Sequence, residues 1–242
     1  MTAPVVEFRD VTYRIDGRVV LGPVALTVAA GEVLVLVGRS GSGKTTALRL
    51  INGLALPGAG DVLVEGCSTR EWDPVRLRRR IGYVIQEIGL FPHMTVERNI
   101  GLVPRLERWP AERIRARVAE LLSLVGLPHE QFARRLPHQL SGGQRQRVGV
   151  ARALAADPPI LLCDEPFGAV DPIARAELQV EFKALTARLG RTVVFVTHDV
   201  REALALATRI AVLEGGQVHF SGSPMAFRDS GDPHVRALRE LA

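Results

Sequence analysis

Residues 38–45 read Gly-Arg-Ser-Gly-Ser-Gly-Lys-Thr, and they stand directly between an apolar run, Val33 to Val37, and a helical stretch from Thr45 to about Leu54. An apolar run of this length, closed by turn residues, fits a strand buried on both faces, as in a parallel sheet. Strand, Gly-rich loop and helix is therefore the order this segment predicts. The residue types suit one kind of ligand. Glycines let successive backbone N–H groups point into a single concavity, which gathers the negative charge of phosphates. The helix starting near Lys44 adds the positive end of its dipole. The Lys44 ammonium reaches β- and γ-phosphates, and the Thr45 hydroxyl can ligate Mg²⁺. Gly38, Arg39, Ser40, Gly41, Ser42, Gly43, Lys44, Thr45 and Thr46 are the candidate nucleotide-binding residues.

Composition narrows the class. Hydrophobic residues make up 47% of the 242 and charged residues 24%, so the chain can bury a core and is not of disordered type. The longest uncharged stretch, Val19 to Gly31, is about half a membrane span and is broken by Gly22-Pro23. No membrane helix is expected, and the first residues lack the basic start and apolar region of a signal peptide. Two cysteines, Cys67 and Cys163, make no disulfide framework, which favours a reducing cytosol. The net charge of +5 invites a nucleic-acid reading. Only Lys44 and Lys183 are lysine among the 31 basic residues, however, and the arginines are scattered. That pattern looks like codon usage, and no nucleic-acid partner is expected.

Alternating apolar runs from Val5 to Val28, with turn signals at Asp16-Gly17 and Gly22-Pro23, predict antiparallel strands. Trp109-Pro110 opens a helix whose Ile114, Val118, Leu121, Leu122 and Val125 recur at helical spacing, with Gly126 as its stop. Ile160 to Cys163 and Thr192 to Thr197 are two further buried-strand runs, and Leu178, Phe182, Leu185 and Leu189 mark a helix face between them. Strand–helix–strand order implies right-handed parallel crossovers. The expectation is an α/β chain with a parallel-sheet core, an N-terminal antiparallel β subdomain (together about 1–87 and 151–242) and a helical insertion (about 88–150).

Asp164 and Glu165 close the apolar run Ile160 to Cys163. Parallel sheets bind ligands at the carboxyl ends of their strands, so Asp164 would hold Mg²⁺ and Glu165 would polarise an attacking water. Taken alone, the pair is equally an acidic strand exit. Cys163 reads as a small buried apolar residue. Leu140-Ser141-Gly142-Gly143-Gln144 precedes a helical stretch from Arg145 to about Ala156, with Ser141 as a good N-cap and the glycines baring backbone N–H groups.

That pentapeptide is the signature of ATP-binding cassette (ABC) ATPases, and the chain resembles an ABC nucleotide-binding subunit over nearly its whole length. Gln86 falls where the family has its Q-loop glutamine, Asp171 at the D-loop and His198 at the switch histidine. The resemblance implies the P-loop NTPase ABC fold and a head-to-tail homodimer that sandwiches two ATP molecules. Lys44, Thr45, Asp164 and Gln86 of one copy would hold each ATP with its Mg²⁺. Ser141, Gly142, Gly143 and Gln144 of the other would close over it. Glu165, His198 and Gln86 would serve the hydrolytic step, and Asp171 would couple the two sites. The family stacks an N-terminal aromatic on adenine. That position is Ile15 here, with Tyr13 two residues earlier as the alternative.

Ile81 to Val96, and Asp164 to Arg175, closely resemble the ATPases of glycine betaine/carnitine/choline (osmoprotectant) importers. The implied partners are integral membrane permease subunits, contacted around Gln86 to Met94, and, through them, an extracytoplasmic solute-binding protein. Phe91 and Met94 are otherwise core residues of the helical insertion. The chain would then be peripheral on the cytosolic face of the membrane. Many relatives of this group carry paired regulatory modules after the cassette, and none is expected within a chain that ends at Ala242. The residues leave open an importer of polar amino acids or another small solute, a soluble ABC ATPase, and a small-molecule kinase, which the signature pentapeptide argues against.

Overall fold

The computed structural model describes residues 3–86, 89–168, 170 and 172–240, with the side chains of 172–174 left aside. In chain order the first elements are β1 (Val6–Ile15), β2 (Arg18–Val28), β3 (Val33–Val37), α1 (Lys44–Ile51), β4 (Ala59–Val64), β5 (Cys67–Ser68) and α2 (Pro74–Arg80). The middle brings β6 (Ile81–Val84), α3 (Val96–Ile100), α4 (Leu102–Leu106), α5 (Ala111–Leu124), α6 (His129–Phe132), α7 (Gly142–Leu154), β7 (Ile160–Asp164) and α8 (Pro172–Leu189). The last part has β8 (Thr192–Thr197), α9 (Val200–Leu206), β9 (Arg209–Glu214), β10 (Gln217–Gly222), α10 (Pro224–Asp229) and α11 (Pro233–Arg239). These elements form two compact units. Met1–Arg78 with Gly190–Ala242 make one, and Arg79–Leu189 make the other.

In the first unit, β2, β1, β4 and β5 lie in that order in one antiparallel sheet. Asp16 and Gly17, at φ 49 and 78, make the expected turn between β1 and β2. Gly22-Pro23 does not make the other turn. It lies inside β2, where the Gly22 amide leaves the ladder to donate to Gly216 O at 2.7 Å and the β1–β2 register slips. Proline has no N–H to give a ladder, so it sits where the pairing is already irregular. β3 pairs in parallel with both β8 and β9, and β10 returns antiparallel to β9. Leu34–Val37, Val193–Val196 and Ile210–Leu213 are buried, as uninterrupted apolar runs require when both sheet faces are covered. Each such side chain contributes about 1.5–3 kcal/mol on burial. One edge is tied by Arg209, whose Nε lies 2.6 Å from Glu32 Oε1. The terminal segment forms two helices. Ser223 and Asp232 each cap a new start, and Pro follows each cap at the first helical position.

In the second unit, β6 and β7 pair in parallel, and α7 packs on β6 and α5. The core face of α5 is the expected one, with Ile114, Val118, Leu121 and Leu122 buried. Pro110 stands at its N-cap rather than inside its first turn, and Gly126 ends it at φ 69. Leu178, Phe182 and Leu185 of α8 are buried, and Phe182 meets Phe167 edge-on at 5.9 Å. The segment expected to be helical, about 88–150, lies in this unit together with β6, β7 and α8.

Candidate functional site

In the first unit the parallel register sets the place of the glycine loop and the histidine. Val37 of β3 lies opposite Thr197 of β8, so the chain leaves both strands at the same edge, Gly38 from one and His198 from the other. Carboxyl edges of parallel strands are where ligands bind in open α/β sheets. Gly38 must be glycine, because a Cβ there would lie 2.0 Å from Leu213 O on β9 and 2.9 Å from Ser42 Oγ. Gly43, at φ 99, ends the loop and caps α1; its Cβ would lie 2.8 Å from Val20 O. Between them Lys44 folds back into the loop. Only 5% of it is exposed, and its Nζ donates to Gly38 O and Arg39 O, both at 2.8 Å. Thr45 and Thr46 are half-buried in the first turn of α1. Replacing Gly38 by Ala drives a Cβ into a backbone carbonyl. We expect it to cost about 2–3 kcal/mol, in line with overpacked sites. A chemical-denaturation curve that matches wild type would refute this close approach.

The loop borders a cavity of about 560 Å³ lined by Gly38, Arg39, Ser40, His198, Asp199, Val200, Arg201 and Leu238. His198 is exposed toward it. Behind His198, Thr197 Oγ1 accepts from Asp199 N at 3.0 Å, and Asp199 Oδ1 accepts from Arg201 N at 2.8 Å and Glu202 N at 3.3 Å. This holds the start of α9 against the strand end. Ile15 closes β1 opposite Arg18 and is 49% exposed, whereas Tyr13, opposite Leu21, is half-buried. A slip in the β1–β2 register falls between the two positions.

The second unit carries its own group of candidate residues. Val84 of β6 lies opposite Cys163 of β7, which places Gln86 and the Asp164-Glu165 pair beyond the same edge. Gln86 is exposed. Asp164 is 5% exposed and accepts from Tyr83 Oη at 3.3 Å. Cys163 is buried, as expected. Glu165 takes φ 42, the left-handed region that side-chain-bearing residues rarely occupy, in a turn closed by Gly168 N donating to Glu165 O at 3.1 Å.

Ser141 caps α7, which begins at Gly142 rather than near Arg145. Its Oγ accepts from Gln144 N at 3.3 Å while Gln144 Oε1 accepts from Ser141 N at 3.0 Å. This capping box orients the amides of Gly142 and Gly143 at the helix start. Asp171 and Ala169 lie outside the described residues.

Three polar residues escaped the sequence reading. Tyr83 binds Asp164. Asn99 is fully buried and ties residues 91–95, accepting from Phe91 N at 2.8 Å and donating to Phe91, Met94 and Thr95 carbonyls at 3.0–3.2 Å. Arg152 of α7 donates to Gly89 O at 2.6 Å, and burial holds its guanidinium below the ordinary arginine range. Phe91 is 40% exposed and Met94 half-buried, so neither is a core residue. Nothing in the local pattern around these three residues marks them; their partners are distant or lie in an irregular loop.

A glycine loop between a buried parallel strand and a helix, with a lysine drawn into it and a histidine at the neighbouring strand end, defines a P-loop nucleotide-binding cassette. Residues 21–168 match the family model described as ABC transporter. The chain belongs to that family. It is 52% identical over 208 residues to the glycine betaine/carnitine/choline transport ATP-binding protein OpuCA of Bacillus subtilis, covering 86% of this chain and 54% of that protein. It is 52% identical to the osmoprotectant import ATP-binding protein OsmV of Salmonella typhimurium, covering 83% and 53%. For the glycine betaine uptake system ATP-binding protein YehX of Escherichia coli the identity is 47%, covering 91% and 71%. The chain thus spans about half the length of the first two of these relatives. Among solved structures it is similar to the ATP-binding cassette MJ0796 in a dimeric post-hydrolysis state bound to ADP and Pi. The TM-score is 0.80 at 36% identity, covering 90% of this chain and 98% of that one.

Proposed function

We propose that the chain binds and hydrolyses ATP and thereby drives an importer of osmoprotectants of the quaternary-amine type, glycine betaine, choline or carnitine. The observation that carries the catalytic part is Lys44, buried in a loop whose Gly38 and Gly43 admit no side chain and which borders a cavity with His198. A buried ammonium beside a glycine loop suits a polyanion, toward which its hydrogen bonds become charge-assisted on both sides. Lys44 and the loop, Gly38 to Thr46, hold the phosphates, and Ile15 or Tyr13 meets the base. Mg²⁺ fits the donor set. It takes one or two carboxylates and fills its remaining positions with phosphate and water oxygens. Asp164 is one buried carboxylate beside a hydroxyl donor, and Thr45 and Gln86 add neutral oxygens. Bound there, the ion would neutralise charge on the phosphates. Glu165 accepts a proton from the attacking water, and His198 and Gln86 orient the reacting groups. Ser141, Gly142, Gly143 and Gln144 close over the nucleotide of a second copy, and Asp171 couples the copies. The dimeric MJ0796 cassette supports that arrangement.

The solute reading rests on the names of the relatives at 47–52% identity. No helix among the described residues is long and apolar enough to cross a membrane, so membrane passage is assigned to separate permease subunits. The chain works peripherally on their cytosolic face, and a solute-binding protein delivers the cargo. A second solute class, polyamines, has support in the putrescine transport ATP-binding protein PotG of Escherichia coli at 43% identity. Co-purified with permease and binding protein, the complex should show ATPase activity stimulated by glycine betaine, choline or carnitine. Stimulation by putrescine or a polar amino acid instead would overturn the solute assignment and leave the ATPase intact.

A further inference from the structure

We propose that the second unit carries a site between α7 and α8 for one small uncharged molecule with a hydroxyl group, which bonds to the side-chain amide of Gln146. None of the residues that form it has a part in the nucleotide reading above. A cavity of about 30 Å³ lies among the end of α5, α7, the turn after β7 and α8, all within Arg79–Leu189. A space of about 10–15 Å³ holds one water, so this one admits about two groups of that size.

The lining residues are leucine, valine and phenylalanine except for Gln146, Arg147 and Glu181. Phe167 and Phe182, edge-on at 5.9 Å, are the aromatic pair among them. The two charged residues answer each other. Arg147 Nη1 lies 2.6 Å from Glu181 Oε2 and also donates to Val125 O at 2.9 Å. An ion pair closed on itself offers no net charge to an ion, so the site suits a neutral occupant. Glu181 is 49% exposed, which marks the side where the cavity meets solvent. Gln146 is the polar residue left over. It stands in the second turn of α7, is 1% exposed, and its Nε2 finds no acceptor among the described residues. A buried N–H that has lost water and gained no acceptor is costly, and folded chains rarely leave one. A hydroxyl oxygen answers it. It accepts from the amide nitrogen, and it can donate to the carboxamide oxygen if the group is turned the other way round. Any carbon the molecule carries meets leucine, valine and phenylalanine.

Two sources share this chemistry: water itself, and a one- or two-carbon alcohol. The test is heteronuclear NMR on the full chain, with ethanol as the alcohol and with the Gln146 side-chain amide resonance assigned by its loss in Q146M. Through-bond assignment of wild type gives the same resonance if Q146M does not fold. A molecule of so few atoms binds weakly, so the titration runs from about 1 to 100 mM. A cross-peak from that amide to a long-lived water, unmoved by ethanol, assigns the site to water. A saturable shift of the amide with ethanol assigns it to the alcohol, and the accompanying shifts of the Val150 and Leu178 methyls should weaken at least fivefold in Q146M. A wild type that shows neither the water cross-peak nor a saturable shift overturns the site. Q146M, which keeps the length of glutamine and loses the amide, should in that case melt about 2–4 °C above wild type, because an unanswered buried group has been removed.

Discussion

Glu165→Gln should keep ATP binding and lose at least about 10²-fold in steady-state turnover, the range that removal of a general base costs. The amide has the shape of the carboxylate, so the turn at φ 42 and its Gly168 N to Glu165 O bond have no reason to change. What changes is basicity. A carboxylate beyond the strand edge can take a proton from water, and an amide oxygen cannot. If hydrolysis is what reopens an ATP-held dimer, the variant should accumulate as that dimer. Light scattering with ATP present would therefore report a doubled mass where wild type equilibrates back to monomer. Turnover within tenfold of wild type would remove Glu165 from the hydrolytic step, and the base would have to be sought elsewhere at the same edge.

Lys44→Ala should weaken ATP binding by about 10²-fold, while its effect on stability stays near 1 kcal/mol. The two magnitudes come from the same geometry. In the folded chain Lys44 Nζ donates to Gly38 O and Arg39 O. Losing a donor to two loop carbonyls costs about what one hydrogen bond contributes net, about 0.5–1.5 kcal/mol. Toward a triphosphate the same ammonium makes charge-assisted bonds worth about 1.5–3 kcal/mol, in a site where it is 5% exposed. Binding should therefore fall much further than the melting temperature. A fluorescent-nucleotide titration and a thermal melt on the same preparation separate the two effects. ATP affinity within threefold of wild type would mean that the backbone cradle alone carries the phosphates.

Both predictions draw on residues whose placement was legible in the chain. The apolar runs Val33–Val37, Ile160–Cys163 and Thr192–Thr197 are strands because each is long enough for one buried strand and is closed by turn residues or carboxylates. Gly38, Asp164 and His198 follow those runs directly, so their positions at carboxyl edges come with the strand assignment. Ser141 as a cap is a local matter as well, since the hydroxyl and the amide it accepts are neighbours in sequence. Other features were out of reach for an equally physical reason. Gly22-Pro23 is a turn signal by chemistry, yet β1 and Gly216 hold it inside a strand. The terminal segment carries two caps, and both were needed to see two helices. Asn99 is an ordinary polar residue until the loop it ties is folded around it.

The sequence by itself determined the glycine loop, the caps and the strands that the candidate residues follow, because glycine permissiveness, capping and hydrophobic period act over a few residues. Only the tertiary structure decided what stands around them. Strand register put His198 level with Gly38, brought the Leu213 carbonyl within reach of any side chain at position 38, and set Arg201 and Leu238 on the cavity wall. Those pairings join residues far apart in the chain. Their partners are chosen by how the sheet and its covering helices pack, which no local run of residues specifies.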